Sequence, residues 1–120
     1  MGRLERVNQQ LKREISLILQ RDLGDPRFEF VTITQAEISK DLRHAKIYFS
    51  VLGNQLKVKD AQAGFENAKG KIRKYIGDRI KMRFTPELLF IYDQSLEISE
   101  RIERTLQEIR DESESYSEDH

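Results

Sequence analysis

Between positions 69 and 83 the chain sets Lys69, Lys71, Arg73, Lys74, Arg79, Lys81 and Arg83 against one acid, Asp78, a local charge of +6 in a chain whose formal net charge is zero. Cations gathered on one scaffold attract a polyanion, because each one that neutralises a phosphate releases condensed counterions. Ala68, Ile72, Ile76 and Ile80 recur at four-residue spacing through the same stretch. A helix here would bury that stripe and leave most of the cations in water. Glycine costs about 1 kcal/mol relative to alanine inside a helix, so Ala68-Lys69-Gly70 predicts a kink or a restart, with Ala68 and Gly70 as its pivot. A restart would expose backbone N–H groups beside Lys69 and Lys71, which is a phosphate site in outline. The bland alternative is a solvated helix face. Arg27 and Arg43, at the ends of a predicted strand pair, either extend the basic surface or are merely solvated. Tyr75 either stacks on a base or covers the edge of the core.

Other chemistry has little to stand on. The chain contains no cysteine, which excludes disulfides, thiolate nucleophiles and Cys-based metal sites and fits a reducing cytoplasm. His44 falls on the polar side of a predicted strand with no second internal histidine to pair with, and His120 is the last residue. No Gly-rich loop followed by Lys-Ser or Lys-Thr is present. The expectation is a binding protein and not an enzyme, with no cofactor, no metal and no small-molecule substrate.

Hydrophobic spacing gives the elements that must hold those cations. Leu4, Val7, Leu11, Ile15, Ile18 and Leu19 form one stripe of a helix over residues 3 to about 23, ended by Gly24-Asp25-Pro26. Residues 28 to 39 read as a strand. Val31 and Ile33 share one face of it, whereas Ala36 and Ile38 fall on the other under strict alternation, which predicts a bulge near Gln35. Ser39-Lys40-Asp41 supplies a turn into a second, antiparallel strand in which Ala45, Ile47, Phe49 and Val51 alternate with His44, Lys46, Tyr48 and Ser50. A helix over residues 57 to 68, with Val58, Ala61 and Phe65 inward, leads into the basic helix, which runs to about residue 83 and is broken by Thr85-Pro86. The almost continuous apolar run over residues 87 to 93 predicts a strand inside the sheet with little water on either face. A last helix starts at Ser95 and carries Leu96, Ile102, Leu106 and Ile109 on one stripe. The order is α-β-β-α-α-β-α, an α+β fold with a three-stranded sheet packed by helices.

A chain of 120 residues is one domain's worth. We divide it into a body over residues 1–93, a C-terminal helix over 94–110 and a disordered acidic tail over 111–120. Neutrality hides a division of charge: residues 108 to 120 hold six acids against Arg110, a net charge of −5, so the rest carries +5. A basic body with an acidic tail points to a nucleic-acid partner better than total charge does. No apolar run approaches the length of a membrane helix, and the first residues contain no signal-peptide core, so the chain is expected to be neither exported nor anchored.

The same residues carry a family resemblance over nearly the whole chain. An α-β-β-α-α-β core resembles the type II KH domain, a single-stranded-RNA module whose hallmark is a GXXG loop between two helices. Ala68-Lys69-Gly70 stands at that joint, and an Ala-x-Gly kink there resembles the ribosome-binding factor A family. Asp25-Pro26-Arg27, Asp41-Leu42, Ala45-Lys46-Ile47-Tyr48 and the run from Arg83-Phe84-Thr85-Pro86-Glu87-Leu88 to Asp93-Gln94-Ser95 agree with the same family. The resemblance implies a cytoplasmic, monomeric ribosome biogenesis factor that binds the free small (30S) ribosomal subunit and its 16S rRNA and precursor. It implies help in late rRNA maturation, including 5′-end processing, and importance in cold adaptation. It also implies RNA contact through the basic kinked helix, with Lys69, Gly70, Lys71, Arg73, Lys74, Arg79, Lys81 and Arg83, joined by Arg27 and Arg43, as the residues to test. Without GXXG, the shape and charge of a folded rRNA surface are a better target than a free strand. The alternatives are a general single-strand RNA-binding KH module and a protein-docking adaptor.

Overall fold

The computed structural model describes residues 2–94 together with Leu106, Gln107 and Ile109. Helix α1 spans Arg3–Leu17 and continues as one π-helical turn, Ile18–Asp22, in which the Leu23 amide donates to the Ile18 carbonyl at 3.1 Å. Gly24, at φ +60°, stops the helix in a conformation that costs a side-chain-bearing residue more. A short 3₁₀ turn follows, Pro26–Phe28, capped by the Asp25 carboxylate on the Arg27 amide. Of the predicted α1 stripe, Leu11, Ile15, Ile18 and Leu19 are buried, and Leu4 and Val7 pack against their margin.

Strands β1 (Val31–Ile38) and β2 (His44–Val51) pair antiparallel, and β3 (Glu87–Tyr92) runs parallel to β2. The pairing passes from Ile33 opposite Phe49 to Gln35 opposite Tyr48, which leaves Thr34 as an extra residue. This is the expected bulge. It returns Ala36 and Ile38 to the face of Ile33, so all three are buried. The Thr34 hydroxyl donates to Asp93 Oδ2 at 2.8 Å, tying the bulge to the far end of β3.

Between the strands and β3 lies helix α2, a single helix over Gln55–Arg79, with the Asn54 side chain accepting from the Lys57 amide at its start. Ile33, Ala36, Ile38, Ala45, Ile47, Phe49 and Leu88 share one sheet face and join the apolar stripes of α1 and α2 in one core. Phe65 of α2 lies at its centre, with ring centroids 4.8 Å from Phe28, 4.7 Å from Phe49 and 4.2 Å, stacked, from Phe90.

Three expectations are corrected. The two helices predicted over residues 57 to 83 are one, helical through Lys69 and Gly70, so no helix restarts there to present free N–H groups. That helix stops at Arg79, before Thr85-Pro86, because residues 80–86 must run back along it to bring β3 beside β2. The strand order β1-β2-β3 makes β2 the central strand and β3 an edge. Leu89, on the sheet face away from the helices, is accordingly 54 % exposed. The predicted C-terminal helix lies outside the described residues except at Leu106, Gln107 and Ile109, which are helical; the acidic tail lies wholly outside them.

Candidate nucleic-acid interface

A 25-residue amphipathic helix distributes its cations by angle, and its neighbours decide which stay free. Ile72 and Ile76 point into the core. Arg73, one position past Ile72, faces the returning loop instead. Its Nε donates to the Pro86 carbonyl at 3.1 Å and its Nη2 to the Thr85 carbonyl at 3.2 Å, and Glu87 lies 3.4 Å away. Arg79 faces α1: its guanidinium bridges Asp22 at 2.7 Å and Glu14 at 3.9 Å and lies 5.0 Å from the Tyr75 ring centroid. These two of the five arginines expected at RNA are thus engaged in packing α2 against its neighbours. Tyr75 packs on the margin of the core, the bland reading of that residue.

The lysines are placed differently. Lys71 and Lys74, three apart and therefore on one side of the helix, are exposed, and Lys69 is half-buried. Lys81 and Arg83 are exposed in the loop after the helix, not on it. None of these five forms a salt bridge among the described residues.

Gly77 and Gly70 meet different surroundings on the same helix. A Cβ on Gly77 would meet Thr85 Oγ1 at 2.8 Å, so Gly77 lets the returning loop lie against the helix. A Cβ on Gly70 would meet nothing within 4 Å. Gly70→Ala should therefore stabilise the fold by about 0.5–1 kcal/mol in urea unfolding, through helix propensity and a less free unfolded chain. A loss of stability instead would show that Gly70 holds a conformation other than helix.

Two basic clusters result. In the first, Arg27 and Lys71 line an open cleft of about 220 Å³ with Leu23, Phe28, Asn67 and Ala68. Arg27 is fixed there by Asp25, donating from Nη2 to Oδ2 at 2.7 Å and from Nε to both carboxylate oxygens at 3.1 Å. This hydrogen bonding holds the Asp25 carboxyl below the usual carboxylate range and pushes Arg27 up. The cleft thus joins the Asp25-Pro26-Arg27 turn to the Ala68 position of α2, two motifs about 40 residues apart in sequence that only the fold brings together. In the second cluster, Arg43 from the β1–β2 turn and Arg83 lie 5.6 and 5.4 Å from the ring centroid of Phe84. Sequence reading passes over Phe84 as a site residue. The signal available was an aromatic directly after Arg83, ahead of a Thr-Pro break that ends any helix there.

Among the described residues no group of His, Asp and Glu is arranged to hold a metal ion. His44, at the start of β2, is exposed, and its amide is held by Ser39 Oγ at 3.1 Å.

The fold and site define a small α+β domain: a three-stranded sheet covered on one face by two helices, the second basic in its C-terminal half. The family model described as ribosome-binding factor A matches residues 3–106, and the chain belongs to that family. A relative named ribosome-binding factor A from Halothermothrix orenii is 47% identical over 113 residues, covering 94% of this chain and 93% of that protein. The crystal structure of ribosome-binding factor A from Thermus thermophilus superposes with a TM-score of 0.68 at 25% identity, covering 77% of this chain and 97% of that one. A homology model of the Thermus thermophilus protein, as fitted into the cryo-EM map of a 30S–RbfA complex, superposes with a TM-score of 0.63 at 25% identity, over 79% of this chain and 97% of that one.

Proposed function

We propose that this protein binds the free small ribosomal subunit through rRNA phosphates, using Lys69, Lys71 and Lys74 of α2, Lys81 and Arg83 of the following loop, and Arg27 and Arg43 beside them. The observation that carries the proposal is a likeness joined to a charge pattern: a similar chain has been fitted into a 30S complex, and this chain's α2 lysines stand free of the carboxylates that occupy Arg73 and Arg79. Arg73 and Arg79 support the interface by holding its scaffold. The fold offers no GXXG loop, so charge and shape set the target, and the affinity is salt-dependent. Four or five phosphate contacts give a slope of log affinity against log salt of about −3 to −4.

The protein acts as a monomeric cytoplasmic factor in late maturation of 16S rRNA and its precursor, including the 5′ end, and it matters most in the cold, where misfolded rRNA escapes slowly. It performs no chemistry on the RNA. It occupies an rRNA junction, shifts the rRNA toward the conformer it binds better by its difference in affinity for the two, and leaves before translation. Among the described residues no helix is long and apolar enough to cross a membrane.

Co-sedimentation tests the proposal. The protein should pellet with purified free small subunits and leave translating ribosomes without bound factor. Equal affinity for an unstructured oligonucleotide would replace the reading with a general single-strand RNA binder. Subunit binding that survives RNase treatment would replace it with a protein-docking adaptor.

A further inference from the structure

An aromatic ring left in water on a rigid loop has a different meaning from one on a loose loop. Phe84 is 54 % exposed, yet the two residues after it are held by the helix beside them. Thr85 and Pro86 give their carbonyls to Arg73, the Thr85 hydroxyl seats against Gly77, and Pro86 is fully buried. The segment is also clamped to the neighbouring turn, since the Glu87 amide donates to the Arg43 carbonyl at 2.8 Å. That turn is itself fixed. Leu42 sits at φ +63°, a strained conformation for a branched side chain. Asp41 Oδ1 accepts from Ser39 Oγ at 2.6 Å and from the Arg43 amide at 3.1 Å.

The fold therefore directs two guanidinium groups, from separate loops, to one exposed ring. Neither forms a salt bridge among the described residues, although Asp41 lies near enough to feel the charge of Arg43. Two like charges brought together repel, and the ring face offsets part of that repulsion. A phosphate between them would offset more. An exposed aromatic ring with cations beside it is an arrangement that single-stranded nucleic acid uses: the base stacks on the ring while the cations shift to the adjoining phosphates.

We propose that Phe84, with Arg43 and Arg83 beside it, is a stacking site for one unpaired RNA base. The inference deepens the rRNA-binding reading and rests on it. It adds a contact that depends on a base where the lysines of α2 depend only on charge. The ring acts through its π-face, so it accepts any base and selects for a nucleotide that is out of a helix.

The test uses the whole chain and two strands: a short single-stranded RNA and the same backbone with its bases removed. At low salt the wild-type chain should bind the base-bearing strand more tightly by a factor on the order of ten. Phe84→Ala should lose most of that preference and Phe84→Trp should restore it. The salt slope should stay unchanged throughout, because stacking neutralises no phosphate. The exposed position predicts an unaltered melting temperature for both variants. A wild-type chain without base preference, or a Phe84→Ala chain that keeps it, overturns the inference whatever happens on subunits. If Phe84→Ala weakens subunit pelleting while the oligonucleotide preference persists, the ring meets a protein and the inference is likewise overturned. Loss of subunit binding as a whole would instead strike the broader proposal, since this assay needs no subunit.

Discussion

Phe65→Ala should cost about 3–5 kcal/mol of stability, the range for truncating a buried aromatic side chain. Phe65 is 1 % exposed and touches three other rings, one from the turn after α1, one from β2 and one from β3. Removing it leaves a cavity lined by Phe28, Phe49 and Phe90 that none of them can fill, because each is held by its own element. Lost ring–ring contacts add to the transfer term. Small domains have total stabilities of about 5–15 kcal/mol, so this single change removes a large fraction, and the melting temperature should fall by about 10–20 °C. Denaturant unfolding checks it: a shift in midpoint at constant slope is the expected result. A cost below about 1 kcal/mol would mean that α2 does not lie across the sheet as described.

The second large effect is on binding alone. Replacing Lys69, Lys71, Lys74 and Lys81 with Glu should weaken binding to free small subunits about 1000-fold near 0.1 M salt. Each phosphate contact contributes about 0.7–0.9 to log affinity per decade of salt, so four contacts are worth roughly three decades at 0.1 M relative to 1 M. The salt slope should fall by about 3 in the same experiment. Stability should change little by comparison, since Lys71, Lys74 and Lys81 are exposed and none of the four forms a salt bridge among the described residues. Glu near the helix C-terminus opposes the macrodipole, which accounts for a few tenths of a kcal/mol per residue. Unaltered folding together with unaltered binding would remove the α2 lysines from the interface. Arg73→Glu and Arg79→Glu make the informative contrast. Their guanidinium groups hold the returning loop and α1, so a loss of binding in those variants should come with a loss of stability.

Phe84 separates the two kinds of contact. The quadruple variant tests charge, and Phe84→Ala tests a base. A surface that needs both recognises unpaired nucleotides beside a dense phosphate array, which a smooth duplex does not offer.

Much of this was legible in the residues. The spacing of Leu11, Ile15 and Ile18, the alternation around Ile47 and the phase change between Ile33 and Ala36 determined α1, β2 and the bulge at Thr34. They could do so because burial on one face imposes a period that local sequence must obey. The concentration of cations, too, is a fact of composition. Three-dimensional packing decided which of them remain available. Arg73 and Lys74 are neighbours of like charge, and nothing local distinguishes them. One meets the carbonyls of Thr85 and Pro86, and the other meets water.

The same limit explains the corrections. Gly70 reads locally as a break, but continuous burial of Phe65, Ile72 and Ile76 along one helix outweighs about 1 kcal/mol of propensity. An apolar run such as Leu88 to Tyr92 cannot report whether its strand is central or at an edge, because that depends on the order in which strands pair. Sequence by itself determined the family, the element types and the basic character of the surface. Only the tertiary structure assigned Arg73 and Arg79 to scaffolding, joined Arg27 to Lys71 in one cleft and set Phe84 beside Arg43 and Arg83. These are meetings of residues distant along the chain, and periodicity carries no information about them.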